Sequence, residues 1–110
     1  MKQILKETLD LITVTADEAW VIAARVKSEP AQELCKRVIN TIQINYPLNE
    51  TDGAEARCVQ ALASLYAKIH IFAQSLLTDP IRPSDDQRHL AFYLKAIAAA
   101  IAHAKANIEN

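Results

Sequence analysis

The residue types able to do chemistry are few in this chain, and their spacing joins them to nothing. His70, His89 and His103 form no His-x-x-x-His pair, so no helix face offers two imidazoles to a metal. Cys35 and Cys58 have no C-x-x-C spacing, and neither has a His within a helical turn to draw off its proton. Glu29 and Glu33 stand four apart and share a helix face. Metal-dependent helical pyrophosphatases need several such carboxylate pairs, and only this one is clear, so a solvated helix start is expected here. Gly53 is the single glycine, which leaves no Gly-rich loop to cradle a phosphate. His103 is a poor match to the phosphate-accepting His of four-helix phosphotransfer domains. Those domains carry Lys three residues on and then Gly, whereas here Lys105 lies two residues on and no Gly follows. His70, flanked by Ile69, Ile71 and Phe72, reads as a residue at the edge of a core. No catalytic residue, metal or cofactor is expected, and the chain does not read as an enzyme.

The elements that must carry these residues are helical. The sequence has 110 residues, enough for one domain spanning 1–110. Hydrophobic residues make up 51% and charged ones 23%, a globular balance rather than a disordered one. One Gly and four Pro are too few to turn a many-stranded β fold. With 12 Lys and Arg against 13 Asp and Glu, the net charge of −1 argues against a nucleic-acid binder, which would carry a basic stripe. Lys2, Lys6 and Glu7 interrupt the start before a signal-peptide core forms. The longest apolar run, residues 96–102, is far short of the roughly 20 residues that cross a bilayer. A soluble, cytoplasmic protein is expected.

Three breaks punctuate the chain. Ser28-Glu29-Pro30 reads as a helix start, since Pro is tolerated in a first turn. Residues 46–53 are rich in turn formers. The third break, residues 78–84, ends in Ser84, and Gln87 three residues on completes capping-box spacing, with Asp85 and Asp86 in the first turn. Between the breaks apolar residues step by four and three: Leu5, Leu9, Ile12, Ala16, Ala19, Ala23, Val26; then Leu34, Val38, Ile42; then Cys58, Leu62, Leu65, Ile69, Phe72, Leu76; then Leu90, Leu94, Ile97, Ile101, Ala104, Ile108. Each row is a stripe that a helix must bury.

Four stripes with short connections predict an all-α, antiparallel, up-down-up-down four-helix bundle, with helices over about residues 2–27, 30–45, 54–78 and 85–108. Thr13-Val14-Thr15 weakens the first helix, and Thr15 followed by Glu18 has capping spacing, so a split there stays open. Cys35 and Cys58 each lie near a helix start. In an antiparallel pair those starts are at opposite ends, offset along the axis by several ångströms, and a disulfide spans no more than roughly 7 Å, so two reduced core thiols are expected. The fourth helix carries Ala91, Ala96, Ala98, Ala99, Ala100, Ala102, Ala104 and Ala106 on every face. Two readings stand open: close packing by the best helix former, or a low-charge outer face that docks a partner.

Together these features resemble the small immunity proteins that protect bacteria from pediocin-like (class IIa) bacteriocins, over roughly residues 3–104. The stretch Gln3-Ile4-Leu5-Lys6-Glu7-Thr8-Leu9-Asp10-Leu11-Ile12 looks like that family's first helix. Glu29-Pro30-Ala31-Gln32 with Leu34, Val38, Ile39 and Ile42 is similar to its second. Residues 73–86 are similar to the junction after its third, with a basic residue between two apolar ones and a Ser cap before an acidic pair. The resemblance implies a non-enzymatic cytoplasmic bundle. It would act from inside the cell at the bacteriocin's receptor, the membrane mannose phosphotransferase permease with its bound bacteriocin. The family's C-terminal half sets which bacteriocin is countered. Carried over, that points to Asp79, Arg82, Asp85, Asp86, Arg88, Lys95, His103 and Lys105 as partner-binding residues. Two features depart from the family: the chain stops at Asn110 where many members continue into a tail, and the fourth helix is unusually rich in Ala. The alternative is a homodimeric scaffold or adaptor, with the fourth helix pairing against itself across a two-fold axis.

Overall fold

Helix ends set the path of this chain. In a computed structural model, residues 2–45, 54–78 and 82–109 are described, and every regular element among them is a helix: α1 (Lys2–Arg25), α2 (Glu29–Asn45), α3 (Ala54–Ala63), α4 (Tyr66–Thr78) and α5 (Asp85–Glu109). The expected turn at 46–53, part of the third break and the site residue Asp79 lie outside the described residues.

α1 runs unbroken through Thr13-Val14-Thr15, so the first helix is not split. The Thr13 hydroxyl donates to the Leu9 carbonyl at 3.0 Å and the Thr15 hydroxyl to the Leu11 carbonyl at 2.7 Å. Both bonds reach four residues back and sit on the helix ladder without interrupting it. α1 ends in a Schellman turn: the Ser28 amide donates to the Ala23 carbonyl at 2.9 Å, and the Lys27 amide to the Ala24 carbonyl at 3.1 Å. Lys27 takes the left-handed conformation that this turn requires, with φ 58°. Ser28 then caps the next helix, its hydroxyl accepting from the Ala31 amide at 3.3 Å, with Pro30 inside the first turn.

The third predicted helix is two helices. A continuous element over 54–78 was expected, and the chain instead breaks between Ala63 and Tyr66 without Gly or Pro. The Leu65 amide donates to the Leu62 carbonyl at 2.9 Å, three residues back, so the turn is tightened. The Ser64 hydroxyl donates to the Ala61 carbonyl at 2.6 Å. The helix resumes with the Ile69 amide on the Leu65 carbonyl at 3.0 Å. At α5 the capping box is present in both directions: the Ser84 amide donates to Gln87 Oε1 at 2.7 Å, and the Gln87 amide to Ser84 Oγ at 3.1 Å.

α1 packs between α2 and α5, α3 packs against α2 and α5, and α4 packs against α5. The core draws Leu9 and Ile12 from α1, Cys35 and Val38 from α2, Cys58, Val59 and Leu62 from α3, Ile69 from α4, and Leu90, Leu94, Ile97 and Ile101 from α5. All but Cys35 and Val59 belong to the predicted stripes, and burying each large one stabilises the fold by roughly 1.5–3 kcal/mol. No helix among the described residues is long and apolar enough to cross a membrane.

Candidate functional site

After the break α4 packs chiefly on α5, and an open groove lies between α4 and α2. Its volume is about 440 Å³, and its walls are two stripes of identical spacing. α2 supplies Pro30, Glu33, Leu34 and Arg37; α4 supplies Lys68, Ile71, Phe72 and Ser75. Each set steps by three, one and three residues, the face of two helical turns. Leu34, only 7% exposed, and half-buried Phe72 form the apolar lining with Ile71, which is 67% exposed. Arg37 and Lys68 stand exposed, one on each wall, opposed by the single carboxylate of Glu33. The Ser75 hydroxyl is turned back onto the Phe72 carbonyl at 2.7 Å.

The partner-binding residues expected from the sequence are not gathered into one place. Arg82, Asp85, Asp86 and Arg88 cluster at the start of α5. Arg88 reaches Asp85 at 3.9 Å and donates to the Pro83 carbonyl at 3.2 Å, while Asp86 faces Arg25 of α1 at 3.9 Å. Lys95 and His103 are exposed further along, and Lys105 lies beside Ala63 and Tyr66, on the side of α3 and α4. At 1.5 Å per residue, Asp85 and Lys105 are separated by about 30 Å along the axis. The alanines of α5 divide between the two readings. Ala91, Ala98 and Ala104 are buried, whereas Ala96, Ala99, Ala102 and Ala106 are exposed, and Phe92, one turn before Ala96, is 70% exposed.

The remaining chemistry-bearing residues are accounted for singly. His70 is exposed and stacks on Tyr66 with ring centroids 6.0 Å apart, so it does not lie at a core edge. One helical turn separates the two rings, and that spacing alone brings them together on the outer face of α4. Cys35 and Cys58 are buried and unbridged. Burial pushes both thiols up from an ordinary 9.0 to about 11; at Cys35 a backbone hydrogen bond works against it. Glu29 and Glu33 are both exposed at the start of α2, as a solvated helix end would place them. Among the described residues, no group of three or more His, Cys, Asp or Glu side chains could hold a metal ion.

Sequence reasoning did not single out the groove. The row through Leu65, Ile69, Phe72 and Leu76 reads as continuous core, and only Ile71, off that row beside Lys68, hints at a second apolar face on α4. Among proteins already characterised, no family model, no curated protein and no solved structure matches this chain.

Proposed function

We propose that this chain is a non-enzymatic protein-binding module, a four-helix bundle whose third helix is broken into α3 and α4, and that it docks a partner in the groove between α2 and α4. The observation that carries this reading is the groove itself: apolar side chains left open between two helices, with charged groups at the rim. A folded chain seldom leaves Ile71 and Phe72 available to water side by side unless something covers them. The bundle reading is supported by the cyclic packing of α1 on α2, α2 on α3, α3 on α5 and α5 on α1. Docking would change a partner's state by preferring one of its conformations, without chemistry.

The specific role we propose is bacteriocin immunity, exerted in the cytoplasm at the mannose phosphotransferase permease with its bound bacteriocin. Its support is the sequence resemblance alone, through residues 3–12, 29–42 and 73–86. In that role Asp79, Arg82, Asp85, Asp86, Arg88, Lys95, His103 and Lys105 would tune which bacteriocin is countered. Expression in a bacteriocin-sensitive strain tests it: survival is expected with the natural chain and sensitivity with Ile71→Arg. Unchanged sensitivity across a panel of pediocin-like peptides would discard the immunity role. Docking as such has its own test, photo-crosslinking from a benzophenone side chain at position 71 in the cell that encodes the protein. No adduct there would discard docking in the groove.

A second reading, a homodimeric scaffold pairing through α5, is favoured by one observation, the exposure of Phe92 on a helix that also exposes Ala96 and Ala99. Sedimentation distinguishes it, since a Phe92→Ser substitution would convert a dimer to monomer.

A further inference from the structure

We infer that the groove between α2 and α4 takes an amphipathic α-helix of a partner protein, one whose apolar stripe is flanked by carboxylates. The inference rests on the docking reading above and names the partner's chemistry. The walls dictate the shape of the occupant. Each is a helix presenting two turns of side chains, and the stripes 30, 33, 34, 37 and 68, 71, 72, 75 run for about 10 Å. A third helix laid between them packs by the same ridges and grooves that hold the rest of the molecule together. Its residues at i, i+3, i+4 and i+7 would meet Leu34, Ile71 and Phe72. Among the described residues there is no sheet edge for an extended peptide to join.

The charges dictate the flanks. Arg37 stands on one wall and Lys68 on the other, and Lys36 is exposed one residue from Arg37. None of the three makes an ion pair among the described residues, and Glu33 is the one carboxylate among the lining residues. A helix carrying Glu or Asp on both sides of its apolar stripe would pair with both walls at once, whereas a Lys-flanked helix would meet like charge on each. Like-charge contact of this kind is what suppresses wrong partners. An anionic membrane is a poorer fit, because a flat surface has no ridge to fill a groove and each exposed cation contributes only about 1 kcal/mol there.

The test uses the full chain and two labelled synthetic helices with identical leucine stripes, one flanked by Glu and one by Lys, read by fluorescence anisotropy. Saturable binding of the Glu-flanked peptide is expected, with a Kd lower than for the Lys-flanked one by about tenfold or more. The double variant Arg37→Glu/Lys68→Glu should reverse that preference. Both positions are exposed, so its thermal unfolding should match that of the natural chain. Ile71→Ser should weaken both peptides. Equal affinity for the two peptides, or a preference unmoved by the double variant, would overturn the inference. So would binding of phosphatidylglycerol vesicles in place of either peptide, or self-association abolished by Ile71→Ser. Absence of peptide binding alongside a photo-adduct from position 71 would overturn the acidic helix and leave docking in place; absence of both would remove docking as well.

Discussion

Two helices follow one another along the same apolar row, and only the first is packed on α2. α3 buries Ala54, Glu55, Cys58, Val59 and Leu62 within ten residues, whereas α4 buries only Ile69 and Ala73 in thirteen. The row of fours and threes from Cys58 to Leu76 passes through both without a change of pattern. Periodicity therefore states which side of a helix is apolar, but not how completely a neighbour covers it. What separates the halves is the tightened turn at Ser64 and Leu65, after which the chain stays on α5 and leaves α2. Packing contributes the stability on the α3 side, while the α4 side keeps apolar surface in water.

The largest effect expected from this contrast comes from truncating the packed side. Leu62 is fully buried, and Leu62→Ala should destabilise the fold by about 2–5 kcal/mol, through lost transfer free energy and the cavity left behind. Phe72→Ala, in the half-buried lining of the groove, should cost about 1–2 kcal/mol. Ile71→Ala, at an exposed position, should stay within about 0.5 kcal/mol of the natural chain. Urea unfolding followed by circular dichroism measures all three. A cost for Ile71→Ala equal to that of Leu62→Ala would mean that the groove is closed in solution and that the two sides are alike.

The thiols sharpen the same contrast, because Cys58 lies on α3 and Cys35 on its neighbour α2. Burial raises each from 9.0 to about 11, so between those values the unfolded chain sheds protons that the native chain keeps. Stability from this source is fully present below pH 9 and is lost as pH rises toward 11. The loss should reach about 3 kcal/mol per thiol at most, and Cys58→Ala should flatten the decline. A disulfide reagent such as dithionitrobenzoate should find neither thiol in the native chain at pH 8 and both after denaturation. Rapid native reaction at Cys58 would show that the α2–α3 contact opens readily.

Much of this frame is legible in the residues. The first, second and last helices follow from their stripes, and both ends of the α5 capping box follow from Ser84 and Gln87. The break after Ala63 does not, because Ala61, Leu62, Ala63 and Leu65 are all good helix formers and no Gly or Pro marks the spot. The comparison with Thr13 and Thr15 explains why hydroxyls mislead. Theirs bond four residues back and leave α1 intact, whereas Ser64 bonds three residues back where the turn is already tightened. The groove is equally hidden, since Phe72 belongs to a core row and its incomplete cover depends on where α4 goes after the break.

A smaller effect comes from the cap that starts α5, the helix on which α4 rests. Ser84→Ala removes the acceptor for the Gln87 amide and should cost about 1 kcal/mol. The loss should appear as a lower urea midpoint with an unchanged slope. An effect near zero would mean that Asp85 or water takes over the cap.

The smallest effect is a gain, and it bears on the groove's α2 wall. Lys27 holds the left-handed position of the Schellman turn, and the next residue, Ser28, caps α2 just before Pro30 and Glu33 enter the groove. A side chain with a Cβ is disfavoured in that conformation by about 1–2 kcal/mol, while glycine adopts it freely. Glycine also gives the unfolded chain more freedom, which offsets part of the advantage. Lys27→Gly should therefore stabilise the fold by about 0.5–1 kcal/mol, with the turn's geometry kept. Because the substitution only relieves the turn, peptide affinity in the groove should not move with it. If stability rises and affinity falls together, the strain at Lys27 helps to hold α2 away from α4, and the open side of the molecule depends on that turn as well as on the break at Ser64.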